Sequence, residues 1–276
     1  MTKNILAVHD ISCVGRCSLT VALPILSHFG LETRVLPTAL LSTHTGGFTG
    51  FTYLDLTDEM KQIMTAWQPL DLKFDGIYSG FMASAEQIDV LKTLIKTYKT
   101  KENLIIIDPV MADNGELYSV FDRNFVKKMG ELVAYADVLT PNITEACLLT
   151  DTPYPTGLHD AALIETLLNK LHEKGAKTIV LTGVKTHEDQ IGIAVSTKNH
   201  PNHSECYMAQ EIKGAYHGTG DIFGSVLSAE LLRGQSTLDA AKTAVDFVVS
   251  SILATPVSND KRYGVEFEQV LASKKF

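Results

Sequence analysis

The sequence predicts a doubly wound α/β fold: a mostly parallel central sheet with helices on both faces, plus a small flap, in one domain over residues 1–276. Three observations predict it. Short apolar runs such as Leu104-Ile105-Ile106-Ile107 and Thr178-Ile179-Val180-Leu181 have the length and continuity of strands buried on both faces. Each such run ends in a turn containing Gly, Asp or Pro. A helical apolar period follows most of these turns, which is the pattern of βα units.

The elements are expected in this order. Residues 4–8 form the first strand, 19–29 a helix ended by Gly30, and 33–38 a second strand. Residues 38–55 are expected to extend as the flap that shields the site. A short strand at 76–78 leads into Ser79-Gly80, and 85–98 is a helix with Ile88, Leu91, Leu94 and Ile95 on one side. The strand at 104–107 stops at Asp108-Pro109, and that at 137–139 stops at Thr140-Pro141-Asn142, before a helix that starts near Thr144-Glu145. A helix at 161–174, stopped by Gly175, feeds a strand at 178–181. Residues 192–196 and 205–209 read as a hairpin around His200-Pro201-Asn202-His203. Ligands bind beyond the carboxyl ends of such strands. Asp10, Ser79-Gly80, Asp108-Pro109, Thr140-Pro141-Asn142 and Thr182-Gly183 each follow a strand and are expected along one sheet edge.

Composition narrows the function classes. The 24 Lys and Arg against 32 Asp and Glu give a formal charge of −8, so no overall basic field draws in nucleic acid. No apolar run approaches the ~20 residues that cross a bilayer, and the first residues lack a signal-peptide pattern, so a cytoplasmic protein with no membrane partner is expected. Cys13, Cys17, Cys147 and Cys206 are few and scattered, which predicts reduced thiols. Cys13 and Cys17 miss the two-residue spacing of a redox or zinc knuckle. His200 and His203 flank Pro201-Asn202 and read as a solvated loop.

The sharpest motif is His217-Gly218-Thr219-Gly220-Asp221-Ile222-Phe223-Gly224, which opens a helical run ending at Gly234. Its glycines permit a tight turn and close approach of a ligand, and the N–H groups of a helix start favour an anion. Asp221 stands in the first turn, either beside that anion or simply as a favourable first-turn carboxylate. The glycine spacing misses the dinucleotide fingerprint by one residue, and Gly183-Val184-Lys185-Thr186 does not supply a P-loop. A protein-kinase signature set is absent as well. Asp108 before Pro109 can merely start a turn, Asn142 and Thr144 can merely cap the next helix, and Glu145 can merely favour its positive end.

Gly218-Thr219-Gly220-Asp221 is similar to the C-terminal signature of the ribokinase-like small-molecule kinases, and most of the chain resembles their pyridoxal kinase branch, related to the hydroxymethylpyrimidine kinases. The segment from Asp108 to Gly115 resembles the family's acidic metal and phosphate segment, and Thr140-Pro141-Asn142-Ile143-Thr144-Glu145 its Thr-Pro-Asn-x-x-Glu motif. Ser42-Thr43-His44-Thr45-Gly46 is similar to its substrate-side segment, and Ser79-Gly80-Phe81-Met82 to its Ser-Gly-aromatic turn. Each motif is weak alone; five in the family's order are specific.

The resemblance implies transfer of the ATP γ-phosphoryl group to the hydroxymethyl group of pyridoxal, pyridoxamine or pyridoxine. It implies Asp221 as the base, with the N–H groups of Gly218, Thr219 and Gly220 on the migrating phosphoryl. It implies Asp108, Asp113 and Glu145 around Mg²⁺, with Asn142, Thr182, Gly183 and Lys185 on the nucleotide side. Asp10, Ser12, Thr45, Ser79 and Phe81 are the expected ring contacts. His44 reads equally as a packed loop histidine, and Cys13 and Cys17 as small packed side chains. A homodimer and a monovalent-cation requirement such as K⁺ belong to the same expectation. The sequence departs from the branch at His9-Asp10-Ile11, where Gln-Ser-His is common. An ionised carboxylate accepts but cannot donate a hydrogen bond, which puts vitamer preference in question and brings hydroxymethylpyrimidine kinases into contention. A sugar kinase, a non-catalytic sensor and a dehydrogenase fit less well: the chain has little room for a large lid, keeps Asp221 and lacks the dinucleotide fingerprint.

Overall fold

The computed structural model describes residues 2–200 and 203–273. The chain divides into two compact units, Met1–Ala83 with Ile212–Phe276, and Ser84–Glu211.

The first unit begins with β1 (Asn4–Ser12), α1 (Leu19–His28), β2 (Glu32–Leu41), β3 (Tyr53–Asp55), α2 (Thr57–Trp67) and β4 (Gly76–Ser79). β1 lies parallel to both β2 and β4, and β3 closes the edge antiparallel to β2. Ile5, Leu6, Ala7 and Val8 are fully buried, as a central strand covered on both faces requires. β1 runs on to Ser12, beyond the expected end at residue 8, so Asp10 and Ser12 belong to the strand itself. The pairing shifts there: His9 faces Pro37 and Ile11 faces Leu40, leaving Asp10 opposite two residues of β2. Such a bulge re-aims a side chain at the end of a ladder. The flap expected at 38–55 is the end of β2, a loop, and β3.

The second unit holds α3 (Ala85–Tyr98), β5 (Leu104–Ile107), the small hairpin β6 (Ala112–Asp113) and β7 (Glu116–Leu117), and α4 (Arg123–Leu132). It continues through β8 (Val138–Leu139), α5 (Ile143–Thr150), α6 (Ala161–Glu173), β9 (Thr178–His187), β10 (Gln190–Thr197) and β11 (Ser204–Gln210). β5, β8 and β9 are parallel, while β9, β10 and β11 form an antiparallel edge. β9 extends six residues beyond the expected stop at Leu181. Gly183, at φ 70°, does not end the strand, because a register shift opposite Gly192 and Ile193 absorbs it. Thr182, Gly183 and Lys185 therefore stand within β9, not after it. The expected hairpin is present as β10 and β11; Pro201-Asn202 of its turn lie outside the described residues.

The chain then returns to the first unit as α7 (Thr219–Leu232), α8 (Thr237–Ala254) and α9 (Phe267–Ser273). From Ile222 to Ala229 every residue of α7 is buried, as befits a helix at the centre of its layer. Gly224 permits that placement, since a Cβ there would lie 2.2 Å from the Tyr78 hydroxyl on β4. The result is the expected class, mostly parallel strands covered by helices, with α2, α4, α8, α9 and the β6–β7 hairpin added to the elements anticipated from the sequence.

Candidate active site

In the first unit the glycine loop and the end of β1 form the centre. Gly218 caps α7 in the left-handed region at φ 79°, and a Cβ there would lie 2.0 Å from the Arg16 carbonyl oxygen. Only glycine fits. Its own carbonyl accepts the Ile222 N–H at 3.0 Å, which leaves the amides of Thr219, Gly220 and Asp221 without intrahelical acceptors. Beyond its own helix turn, no described residue lies within 4 Å of the position a Gly220 Cβ would take, so the backbone there is open to a ligand. The dipole of a 14-residue helix adds its positive end at the same place.

Asp221 keeps an intermediate exposure, yet the protein around its carboxyl pushes its pKa up to about 7. Desolvation is the main cause; the charge of Asp10 adds to it, and a hydrogen bond from the Ser18 backbone amide opposes it. Asp10 is 4% exposed, and its proton affinity is also raised by burial. Two hydroxyls hold it: Ser12 Oγ donates to Oδ2 at 2.9 Å, and Ser18 Oγ donates to Oδ1. Cys17 lies against the same group; burial and the two carboxylates hold its thiol protonated. Ser79 is 2% exposed, and its hydroxyl finds no hydrogen-bond partner among the described residues. β4 brings it beside β1, with Ser79 paired to Val8. Phe81 follows, half-buried, its carbonyl accepting from Thr38 Oγ1 at 3.0 Å.

The flap loop is anchored by His44. Its Nδ1 accepts the Gly46 N–H at 3.1 Å, so Nε2 carries the proton and donates to the Arg262 carbonyl at 2.6 Å. The ring also lies 5.0 Å from those of Phe48 and His217. His44 is thus the packed loop histidine of the two readings, and Thr45 beside it remains half-exposed. A further clasp joins the N-terminal loop to the C-terminal segment: Arg16 pairs with Glu268 at 2.7 Å and its amide bonds the Tyr263 carbonyl at 3.0 Å.

The second unit carries the other expected residues. Asn142 and Glu145 form a capping box on α5: Asn142 Oδ1 accepts the Glu145 N–H, and Glu145 Oε2 accepts the Asn142 N–H, both at 2.9 Å. Glu145 Oε1 accepts the Met111 N–H at 3.1 Å, and Asn142 Nδ2 donates to the Ala112 carbonyl at 2.8 Å. Burial nevertheless pushes the Glu145 carboxyl up to about 8, with Asp113 adding to the shift and the backbone amides opposing it. Asp113 is exposed at the tip of the β6–β7 hairpin, where Asn114 and Gly115 turn at φ 51° and 83°. Asp108, half-buried, follows β5. Thr182 bonds the Pro141 carbonyl through its amide at 2.9 Å, and Gly183 is open around its Cα. Lys185 Nζ is paired with Glu211 at 2.5 Å. Among the described residues no group of three His, Cys, Asp or Glu is placed to hold a metal ion.

Sequence reasoning gave Ser18 no part, although it links Asp10 and Asp221, and it treated Cys17 only as packing. The available signal was a serine just before a helix. It is usually read as a side-chain cap, but Ser18 makes no such cap here.

Comparison with known proteins agrees with the motif reading. The phosphomethylpyrimidine kinase family model matches residues 24–265. A Bacteroides thetaiotaomicron structure assigned as a phosphomethylpyrimidine kinase, in a crystal form with pyridoxal, is 39% identical with a TM-score of 0.93, covering 99% of this chain and 95% of that one. The pyridoxal kinase of Lactobacillus plantarum is 32% identical with a TM-score of 0.90, covering 99% and 96%. A hydroxymethylpyrimidine/phosphomethylpyrimidine kinase of Aquifex aeolicus is 29% identical over 72% of each chain. The glycine loop, the carboxylate in its first turn and the ribokinase-like α/β fold have one common account: the chain belongs to the phosphomethylpyrimidine kinase family.

Proposed function

We propose that the protein is an ATP-dependent kinase of B6 vitamers, transferring the γ-phosphoryl group to the hydroxymethyl oxygen of pyridoxal, pyridoxamine or pyridoxine. The observation that carries this reading is Asp221, a carboxyl of pKa about 7 in the first turn of a helix whose cap only glycine can form. A base is most effective when its pKa lies near the working pH. Asp221 takes the hydroxyl proton as the oxygen attacks γ-phosphorus, the bond to the β-phosphate oxygen breaks, and ADP leaves. The amides of Gly218, Thr219 and Gly220, with the helix dipole, stabilise charge on the transferred group. The pyridoxal held by the Bacteroides relative supports a pyridine substrate. Asp10, Ser12, Thr45, Ser79 and Phe81 form the ring side. The unpartnered Ser79 hydroxyl supports that part of the reading, because a buried hydroxyl needs a partner that a substrate can supply.

Asn142, Thr182, Gly183 and Lys185 form the nucleotide side, with Lys185 reaching a phosphate once it leaves Glu211. The donor set fits Mg²⁺ only in company with nucleotide phosphates. Both Glu145 oxygens are buried against backbone amides, whereas Asp113 is exposed with its oxygens on neighbouring Asn114, so Asp108 and Asp113 would hold the ion or its waters, and Mg²⁺ on a nucleotide characteristically takes few protein carboxylates. When bound, the ion neutralises phosphate charge. We also propose that residues 1–276 act as a single kinase domain, in the cytoplasm where ATP is supplied, and that a monovalent cation such as K⁺ assists. The exposed Leu40, Tyr53 and Leu54 on the β2–β3 edge support a homodimer.

A second reading, a hydroxymethylpyrimidine kinase, is favoured by the family match and the Aquifex relative. Initial rates with ATP against the three vitamers and hydroxymethylpyrimidine decide between them. A higher kcat/KM for a vitamer is expected. A pyrimidine preference hands the site to the second reading, and no product with any of the four defeats both.

A further inference from the structure

We propose that Ser18 is a positioning residue that joins the two carboxyls of the site: its hydroxyl holds Asp10 and its backbone amide holds Asp221, so that a change at one acid is felt at the other. This deepens the kinase reading and rests on it for the catalytic role of Asp221.

Three geometric observations point to Ser18. Its Oγ donates to Asp10 Oδ1, while its backbone amide serves the Asp221 carboxyl, so one residue contacts both acids. The residue is 7% exposed, which keeps water from substituting for its hydroxyl. Its backbone, at φ 51° and ψ −131°, lies in a region that strains a non-glycine residue. Serine at an N-cap position normally serves its own helix, yet α1 receives no side-chain cap from it. The hydroxyl that would cap the helix is committed to Asp10 instead.

The sign of the coupling follows from the neighbours. Donation by Ser12 and Ser18 favours the charged form of Asp10, and burial opposes it. While Asp10 holds its charge, Asp221 binds its proton more tightly. The other groups facing the pair are the Cys17 thiol, held protonated, the His44 ring, and Tyr53, whose phenol is pushed up to about 12. None of these supplies a second donor pair to Asp10. Without the Ser18 hydroxyl, Asp10 binds its own proton more readily, its charge acts less on Asp221, and Asp221 ionises at lower pH.

The test is a pH titration of the carboxyl carbons in aspartate-labelled protein, without ATP or vitamer, with Asp10→Asn and Asp221→Asn assigning the signals. Because it needs no turnover, its failure leaves the kinase reading standing, and failure of the kinase reading leaves the titration intact. In Ser18→Ala the main Asp221 step is expected to fall by about half a pH unit or more, a fraction of the roughly one-unit effect of a hydrogen bond to a charged group. Ser18→Gly, which accepts the φ of 51° without strain, is expected to show the same fall and keeps the test open if the alanine variant unfolds. In an Asp10→Asn background, Ser18→Ala is expected to leave the Asp221 step where it is. An unmoved Asp221 step in both single variants overturns the proposal, as does an equal fall when Asp10 is already asparagine.

Discussion

Gly218 and Arg16 meet so closely that no side chain fits between them: a Cβ on Gly218 would stand 2.0 Å from the Arg16 carbonyl oxygen. The contact ties the helix start that carries Asp221 to the loop that carries Cys17 and Ser18, with the Arg16–Glu268 pair holding the same loop from the other side. The glycine loop is therefore a fixed cradle.

That contact separates two glycines that look alike in the sequence. Gly218→Ala forces a positive φ and a backbone clash, and about 2 kcal/mol or more of stability should be lost. Gly220→Ala meets no described residue within 4 Å beyond its own helix turn and should fold as the parent does, yet raise the KM for ATP by narrowing the approach to the loop. Chemical denaturation with ATP kinetics on both variants checks the pair; equal stabilities remove the cradle.

The raised pKa of Asp221 has a consequence for stability. The folded state holds this proton more tightly than the unfolded chain, whose carboxyl titrates near 3.8. The favourable contribution of the protonated group is complete below that value and is lost as pH rises through about 7. Asp221→Asn, which stays neutral, should be more stable than the parent above pH 7, and this advantage should shrink toward about pH 4. Thermal unfolding at several pH values measures it, and a difference that does not vary with pH contradicts the assigned environment.

Glu145 provides a contrast between a structural and a metal role. Its carboxyl closes the capping box on α5 and accepts from Met111, so Glu145→Ala should cost about 1–3 kcal/mol. The Mg²⁺ concentration giving half-maximal rate should change little. A large shift in that concentration with stability unchanged would make Glu145 a ligand.

Asp10 is the departure from the Gln-Ser-His pattern, and its charge faces the proposed ring side. Asp10→Ser should shift the relative kcat/KM among vitamers by about tenfold or more, the scale of one changed hydrogen bond to a charged group, while the KM for ATP holds. Equal changes in both constants mean that Asp10 does not read the ring.

Much of this was legible in the sequence because the signals were local. Gly30 ended α1 as expected, and Asn142 caps α5, one of the two caps its segment offered. The helix at Ala85–Tyr98 and the strand at Leu104–Ile107 match their expected limits. What failed depends on partners distant in the chain. β1 continues to Ser12 because β2 pairs with it through a bulge, and β9 passes Gly183 because β10 absorbs the shift. Ser18 was missed for the same reason: its spacing announces a cap, and only the fold shows its hydroxyl turned to Asp10.

Asp221 as the proposed base of phosphoryl transfer is tested directly by the pH dependence of kcat/KM for pyridoxal with Asp221→Asn alongside. The parent should lose activity below about pH 7 as Asp221 gains its proton. The variant should bind ATP normally, lose kcat by ~10²-fold or more and lose that acid limb. A variant with kcat near the parent's, or with the limb intact, contradicts the account.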